Sequence, residues 1–239
     1  MDLAIVIPVL NEAENIPALL EEVDAALGSP GGYDIIVVDD GSSDATAAVL
    51  EDCRERYPQL QVVRHAASRG QSAAILSGVN VAGRSWIATL DGDGQNDPAD
   101  IPRLYDIIRR APAPVWLVNG YRRQRRDSWL KRLSSRVANR VRGFVLGDRT
   151  PDTGCGLKVF RRSMFMELPR FDHMHRFLPA LVRMQGGEVV SVEVEHRQRR
   201  HGQSKYGVHN RLWVGLADLF GVLWLQRRVL PPPGDKEKD

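Results

Sequence analysis

Apolar positions in the first half of the chain fall into five short runs, Leu3–Val9, Asp34–Val38, Leu60–Arg64, Trp86–Leu90 and Val115–Val118. Between them the apolar spacing changes to three and four residues, over Ala13–Leu27, Asp44–Tyr57, Gln71–Ala82 and Ala99–Arg110. Short, nearly continuous apolar runs read as strands buried on both faces, and the intervening period reads as helix. Strands alternating with helices of this length predict βαβ units and a largely parallel sheet, an α/β fold. The second half is less regular. It offers a basic, helical stretch from Asp127 to Leu146, a turn at Thr150–Gly156, and strands near Leu157–Phe160 and Glu188–His196. No internal repeat is visible.

The last periodic segment, Leu212 to Leu225, holds a single charge, Asp218. Leu212, Trp213, Leu216, Leu219, Phe220, Leu223 and Trp224 fall on one side of the predicted helix. A bilayer span needs about 20 apolar residues, so this run is too short to cross. Arg211 and the Arg227-Arg228 pair flank it as interfacial anchors would. The expectation for 206–230 is an amphipathic helix lying on a membrane surface; the alternative is a terminal helix packed into the core. The segment 231–239, three prolines followed by charges, is expected to be disordered.

Composition narrows the class. At 239 residues and 43% hydrophobic content the chain suits one large domain with an appendage, and excludes a disordered or fibrous protein. A net charge of only +3 conceals an uneven distribution: ten lysines and arginines lie between Arg122 and Arg149, against Asp127 and Asp148. That implies a local anionic partner. Nucleic acid is disfavoured as that partner, because Trp129 and Phe144 are too sparse to form stacking platforms. Cys53 and Cys155 match no metal or redox spacing and suit a reducing compartment. The apolar N-terminus follows Asp2 and lacks a cationic leader, so it reads as a first strand and not as a signal peptide.

The candidate chemistry lies at three predicted strand ends. Asn11-Glu12 follows the first strand, Asp39-Asp40-Gly41-Ser42 the second, and Asp91-Gly92-Asp93-Gly94-Gln95 the fourth. In open α/β sheets ligands sit beyond the carboxyl ends of the strands, so these clusters are expected to converge on one crevice. Two carboxylates in a glycine-containing loop can turn toward one hard cation, and magnesium typically takes one or two carboxylates alongside waters and phosphates. An Asp/Gly surface turn would use the same residues. A Gly-x-Gly-x-x-Gly after the first strand and a Walker-type phosphate loop are both missing, which argues against dehydrogenase and P-loop readings.

These residues resemble family-2 glycosyltransferases, and among them the polyprenyl-phosphate sugar transferases related to dolichol-phosphate mannose synthase. The resemblance covers about residues 1 to 228. It is carried first by Ile7-Pro8-Val9-Leu10-Asn11-Glu12, Val37-Val38-Asp39-Asp40-Gly41-Ser42-Ser43-Asp44, Arg69-Gly70-Gln71-Ser72-Ala73-Ala74 and the Asp91–Gln95 loop. The narrower group is carried by Asn119-Gly120-Tyr121-Arg122, Asp152-Thr153-Gly154-Cys155-Gly156-Leu157-Lys158, His175-Arg176-Phe177-Leu178-Pro179 and Arg199 to Gly207. The resemblance implies a single GT-A catalytic domain over 1–205 that binds a nucleotide-sugar. Pro8, Leu10, Glu12, Val38 and Asp40 match the family's positions around the nucleoside. Asp91, Gly92, Asp93 and Gln95 match its metal and diphosphate site, with Mg²⁺ or Mn²⁺ bridging Asp91, Asp93 and Gln95 to the phosphates. Arg199 and Lys205 match mobile-loop cations that close over the diphosphate; Arg122, with Arg136 less securely aligned, matches the acceptor-phosphate position.

The implied reaction transfers a hexose from a donor of the UDP-glucose or GDP-mannose type to a polyprenyl phosphate, with inversion, at the cytoplasmic face of a membrane. A phosphate monoester is mostly dianionic at pH 7 and is already a nucleophile, so the acceptor needs no general base. Asp93, Arg122, Arg136 and Lys205 are the residues expected to carry catalysis. Family members often continue into transmembrane helices, which leaves room for a separate integral membrane partner. Two other readings stay open: a transferase acting on a sugar hydroxyl, for which Asp152 is the evident base, and a nucleotide-sugar sensor without catalysis.

Overall fold

The structure is a computed structural model that describes residues 1–28, 32–112, 114–122, 142–143, 145–148, 150–199 and 208–228, with backbone alone for 208–214. Arg136, Lys205 and most of the basic stretch lie outside the described residues, as do the tail and Arg200 to Gly207. The element order is β1 (Leu3–Val9), α1 (Ile16–Leu27), β2 (Tyr33–Asp39), α2 (Thr46–Arg56), β3 (Leu60–Arg64), α3 (Gln71–Val81), β4 (Trp86–Thr89), α4 (Ile101–Arg110) and β5 (Val115–Tyr121). It continues with β6 (Lys158–Arg161), α5 (Arg162–Glu167), α6 (Leu178–Met184), β7 (Glu188–Glu193) and α7 (Val208–Gln226).

The strands form one seven-stranded sheet in the order β3-β2-β1-β4-β6-β5-β7. The first four are parallel, as the alternation of runs predicts. β6 departs from that pattern: it runs antiparallel to both β4 and β5 and wedges between them, pairing Thr89 with Lys158 and Asn119 with Lys158. Apolar periodicity does not register strand direction, so the sequence predicts β6 without its orientation. The helices Arg162–Glu167 and Leu178–Met184 were also not predicted; each is under two turns and too short to display a 3.6-residue period.

The core has two layers, one on each face of the sheet. Ile16, Leu20, Leu50, Ile101, Leu104 and Ile108 cover one face from α1, α2 and α4. Ala74, Ile75, Phe165, Leu178, Leu181, Leu219 and Val222 cover the other from α3, α5, α6 and α7. The four parallel strands contribute side chains to both layers, which is why their sequences are apolar without alternation.

Helix α7 therefore has a split character. Leu219 and Val222 are buried in the second core layer, and Gln226 Nε2 donates to the Leu146 carbonyl at 3.1 Å. The lone charge, Asp218, turns inward to His173 Nδ1 at 3.0 Å. Phe220 and Trp224, one turn apart, are 67% and 60% exposed. The heavy apolar face expected from the sequence divides into an inner stripe that completes the core and an outer stripe that faces solvent. Among the described residues no helix is long and apolar enough to cross a membrane.

Candidate active site

The ends of β1, β2 and β4 come together because the sheet order sets these three strands side by side. β1 outlasts β4: its pairing with β4 stops at Val6, whereas its pairing with β2 continues through Pro8 and Val9. Pro8, which has no N–H to give, thus sits where β4 no longer asks for one. The loop after β4 then folds across the open end of β1. A Cβ on Gly92 would stand 2.6 Å from Val9 Cγ1 and 3.2 Å from the Pro8 carbonyl, so this close approach demands glycine.

At the β1 end, Asn11 adopts φ 52° and its side chain accepts from the Ser43 amide at 2.7 Å, while its own amide donates to Ser42 Oγ at 2.8 Å. The Glu12 amide donates to Thr46 Oγ1, and the Glu12 carboxylate accepts from Asn15 Nδ2 at 2.6 Å. Leu10 lies in this turn, and Val38, fully buried, in β2 beside Pro8. The β1 and β2 turns are therefore locked to each other.

Asp40 has a different surrounding from an open ligand-binding carboxylate. It is buried and accepts from His65 Nδ1 at 2.6 Å, Ser68 Oγ at 2.8 Å, and the amides of Arg69 and Gly70 at 2.9 and 2.8 Å. Burial alone would raise its carboxyl, but these hydrogen bonds hold it below the ordinary carboxylate value. Asp40 thus anchors the loop that leads into α3. Gly41 allows that loop its path, since at φ +78° a Cβ there would meet the Ala67 and Ser68 backbone at 2.7 Å.

Asp91 stands at the floor of the crevice. Gln71 Nε2, at the start of α3, donates to its Oδ1 at 2.8 Å. The turn before β6 roofs it so tightly that a Cβ on Gly156 would lie 2.2 Å from Asp91 Oδ2. Thr89 Oγ1 fixes this roof by donating to the Gly156 carbonyl at 2.6 Å. Burial, then the charge of Asp93, push the Asp91 carboxyl up to about 6, against the pull of Lys158, Arg122 and the Gln71 hydrogen bond. A buried carboxylate beside a second one is a donor set that a divalent cation would relieve, so the residues fit the expected metal. Among the described residues no third acidic, histidine or cysteine ligand joins them; water and substrate phosphate would complete the coordination of a magnesium-like ion. Asp93 Oδ1 accepts from the Gln95 amide at 3.1 Å, and the Gln95 carbonyl accepts from the Arg197 amide at 2.8 Å.

That last contact brings the segment after β7 to the crevice. Asn96 and His196 form an isolated bridge, and Arg197 pairs with Asp97 and with Glu22. Two residues on, Arg199 Nη2 reaches Glu12 Oε1 at 2.6 Å and Asp93 Oδ2 at 3.9 Å. Arg199 thereby spans the crevice from the β1 turn to the Asp91–Gln95 loop. The anchoring roles of Arg197 and His196 are absent from the sequence reading, because nothing in their spacing ties them to a loop a hundred residues earlier.

Arg122, expected at the acceptor phosphate, is held by a carboxylate of the protein. Its Nε donates to Asp152 Oδ2 at 2.7 Å and its Nη2 to Asp152 Oδ1 at 3.1 Å, a bidentate pair with little exposure. Asn119 Nδ2 supports the pair by donating to the Asp152 carbonyl. Arg142 is likewise buried, 3.4 Å from Asp148 and donating to the Thr150 carbonyl. Both described arginines of the basic stretch thus have carboxylate partners inside the protein, a use that a one-dimensional charge count cannot distinguish from a solvated patch.

Behind Asp91 a cavity of about 150 Å³ opens, lined by Gln71, Thr153, Lys158, His175 and Arg176 among others. Lys158 Nζ is buried and donates to the carbonyls of Thr153 and Cys155; burial lowers its pKa. His175 Nδ1 lies 2.7 Å from Ser72 Oγ, and burial holds its ring well below the ordinary histidine value, so it is neutral.

Comparison with known proteins places this architecture. The chain is 36% identical to dodecaprenyl-phosphate galacturonate synthase of Rhizobium johnstonii over 97% of its own length and 69% of that protein's. It is 36% identical to undecaprenyl-phosphate 4-deoxy-4-formamido-L-arabinose transferase of Edwardsiella ictaluri, over 86% of this chain and 63% of that one. The chain thus spans somewhat under two thirds of the length of this second relative. Its fold matches glucosyl-3-phosphoglycerate synthase from Mycobacterium tuberculosis, crystallised with Mg²⁺ and UDP, with a TM-score of 0.70 at 16% identity, over 96% of this chain and 80% of that one. That likeness establishes the GT-A fold. The profile of glycosyl transferase family 2 matches residues 4–169, more than half the chain, and the protein belongs to that family.

Proposed function

We propose that the protein transfers a sugar from a nucleotide-sugar to the phosphate of a polyprenyl phosphate at a membrane surface, with inversion and with the help of Mg²⁺ or Mn²⁺. The observation that carries the donor half is the meeting of Glu12, Asp91, Asp93 and Arg199 at the adjoining ends of β1 and β4. The acceptor half is supported by the two relatives named for sugar transfer to dodecaprenyl and undecaprenyl phosphate. A hexose donor of the UDP-glucose or GDP-mannose type remains the working choice.

Asp91 and Asp93 would hold the metal, which when bound offsets the charge of the diphosphate leaving group. Gln71 and the Gly156 roof fix the Asp91 carboxylate, so its orientation is set before substrate arrives. Arg199 already lies across the crevice; when a diphosphate enters, its guanidinium exchanges Glu12 for phosphate oxygens and closes the site against water. Lys205 follows on the same segment as a second closing cation. Arg122 meets the acceptor phosphate by exchanging one anion, Asp152, for another, with Arg136 as its companion. Commitment of Asp152 to Arg122 also weakens the hydroxyl-acceptor reading, which needs that carboxylate as a base. The phosphate dianion attacks the anomeric carbon unaided, and the enzyme's task is to hold two anions in line.

The test is transfer of radiolabelled sugar into an organic-extractable, acid-labile lipid, using vesicles with undecaprenyl phosphate, Mn²⁺ or Mg²⁺, and UDP-glucose, GDP-mannose and other donors in turn. Label in the lipid from one donor supports the reading. Confirmed donor binding with label confined to the aqueous phase would end it. Asp93→Ala is expected to lower transfer by about 100-fold or more while the folded state persists.

A further inference from the structure

The cavity behind Asp91 has Arg176, Lys158 and His175 on its wall, beside one carboxylate. Arg176 lines it, and among the described residues its guanidinium has no ion pair and no side-chain hydrogen bond. By contrast, Arg122 is engaged by Asp152, Arg197 by Asp97 and Glu22, and Arg199 by Glu12. Lys158, whose amino group donates to the Thr153 and Cys155 carbonyls, lies on the same wall. His175 adds a neutral ring whose Nδ1 lies 2.7 Å from Ser72 Oγ, the same oxygen that accepts from the His175 amide at 3.3 Å. The described acidic group on the wall is Asp91, whose charge is claimed by the metal in the reading above, on which this inference rests. With that charge committed, Arg176 lacks a counter-ion among the described residues.

We propose that this cavity is an anion subsite, taking a carboxylate or phosphate group of one of the two substrates, with Arg176 as its recognising cation. It shares the Asp91 wall with the donor crevice, so the anion would sit next to the sugar being transferred. Two sources have that chemistry: a carboxylate on the donor's sugar, and the phosphate of the acceptor.

Wild-type protein, Arg176→Gln and Arg176→Lys, each with Mn²⁺, are titrated calorimetrically with UDP-glucuronate against UDP-glucose, GDP-mannuronate against GDP-mannose, and separately with farnesyl phosphate. A wild-type preference for a uronate over its neutral partner that falls about tenfold in Arg176→Gln, with neutral-sugar affinity unchanged, assigns the subsite to the donor. An unchanged sugar profile with farnesyl phosphate bound about tenfold more weakly assigns it to the acceptor. In either case Arg176→Lys recovers part of the loss, since it keeps the charge without the planar fork. Affinities all within about twofold of wild type in Arg176→Gln overturn the subsite and leave the donor reading standing. Failure of the wild type to bind any of these nucleotide-sugars overturns the donor reading and the subsite together.

Discussion

Four hydrogen bonds converge on one carboxylate at Asp40, and two of them come from backbone amides of the loop that delivers Gln71 to Asp91. Removing a buried charged acceptor strands its donors, at about 1–3 kcal/mol each before relaxation, so Asp40→Ala is expected to cost about 3 kcal/mol in urea unfolding at pH 7. The pH dependence has a definite sign. Because the folded-state pKa lies below the model-compound value of 3.8, the carboxylate stabilises the native state above that value, and the stabilisation is lost as pH falls through the lowered one. The gap between wild type and Asp40→Ala is therefore expected to be full at pH 7 and to shrink below pH 3.8. A gap that is constant from pH 7 to pH 3 would show that the carboxylate's charge is not what holds the loop. Sequence motifs flag Asp40, but its inward role depends on His65 and Ser68, whose proximity arises only when β2 and β3 pair.

At the scale of elements, the turn from Asp152 to Lys158 has the sharpest geometric demand. Gly156→Ala places a methyl where the Asp91 carboxylate stands, and is expected to weaken Mn²⁺-dependent nucleotide binding by at least about tenfold while thermal unfolding shifts by only a few degrees. Gly156→Ala with unaltered binding would mean that the roof yields and does not set the carboxylate. The three strand-end clusters were legible from the sequence because parallel strands with alternating helices leave few topologies. The roof was legible only as a motif. Its function depends on β6 returning antiparallel beside β4, and the register Thr89 with Lys158 is a tertiary fact that no local pattern encodes. The same holds for the segment after β7, whose Arg197 reads on paper as one more surface charge.

Across the whole molecule, α7 serves two surfaces at once, and they can be tested apart. Leu219→Ala or Val222→Ala opens the second core layer and is expected to cost about 2–4 kcal/mol for the leucine and about 1–2 for the valine. The double change Phe220→Ser with Trp224→Ser removes apolar groups that are already in solvent, so stability is expected to hold within about 0.5 kcal/mol. Sedimentation with anionic vesicles is expected to fall sharply in that double variant and to persist in the core variants at temperatures where they remain folded. Undiminished vesicle binding would remove the outer stripe from the membrane role. Helical spacing does not divide Leu219 from Phe220 and Trp224, since all three lie within one broad apolar stripe.

The antiparallel wedge of β6 between β4 and β5 bears on how the protein is made. β5 leaves the ribosome before the strand that must separate it from β4, so the sheet cannot be completed in the order of synthesis. The four parallel strands can assemble first; β5 and β7 join them only through β6. Because β6 carries the roof over Asp91, the carboxylate is clamped at the same step that closes the sheet. A nascent or truncated chain ending before Lys158 would have the joined ends of β1, β2 and β4 without the roof over Asp91, and long-range pairing of this kind sets the pace of folding.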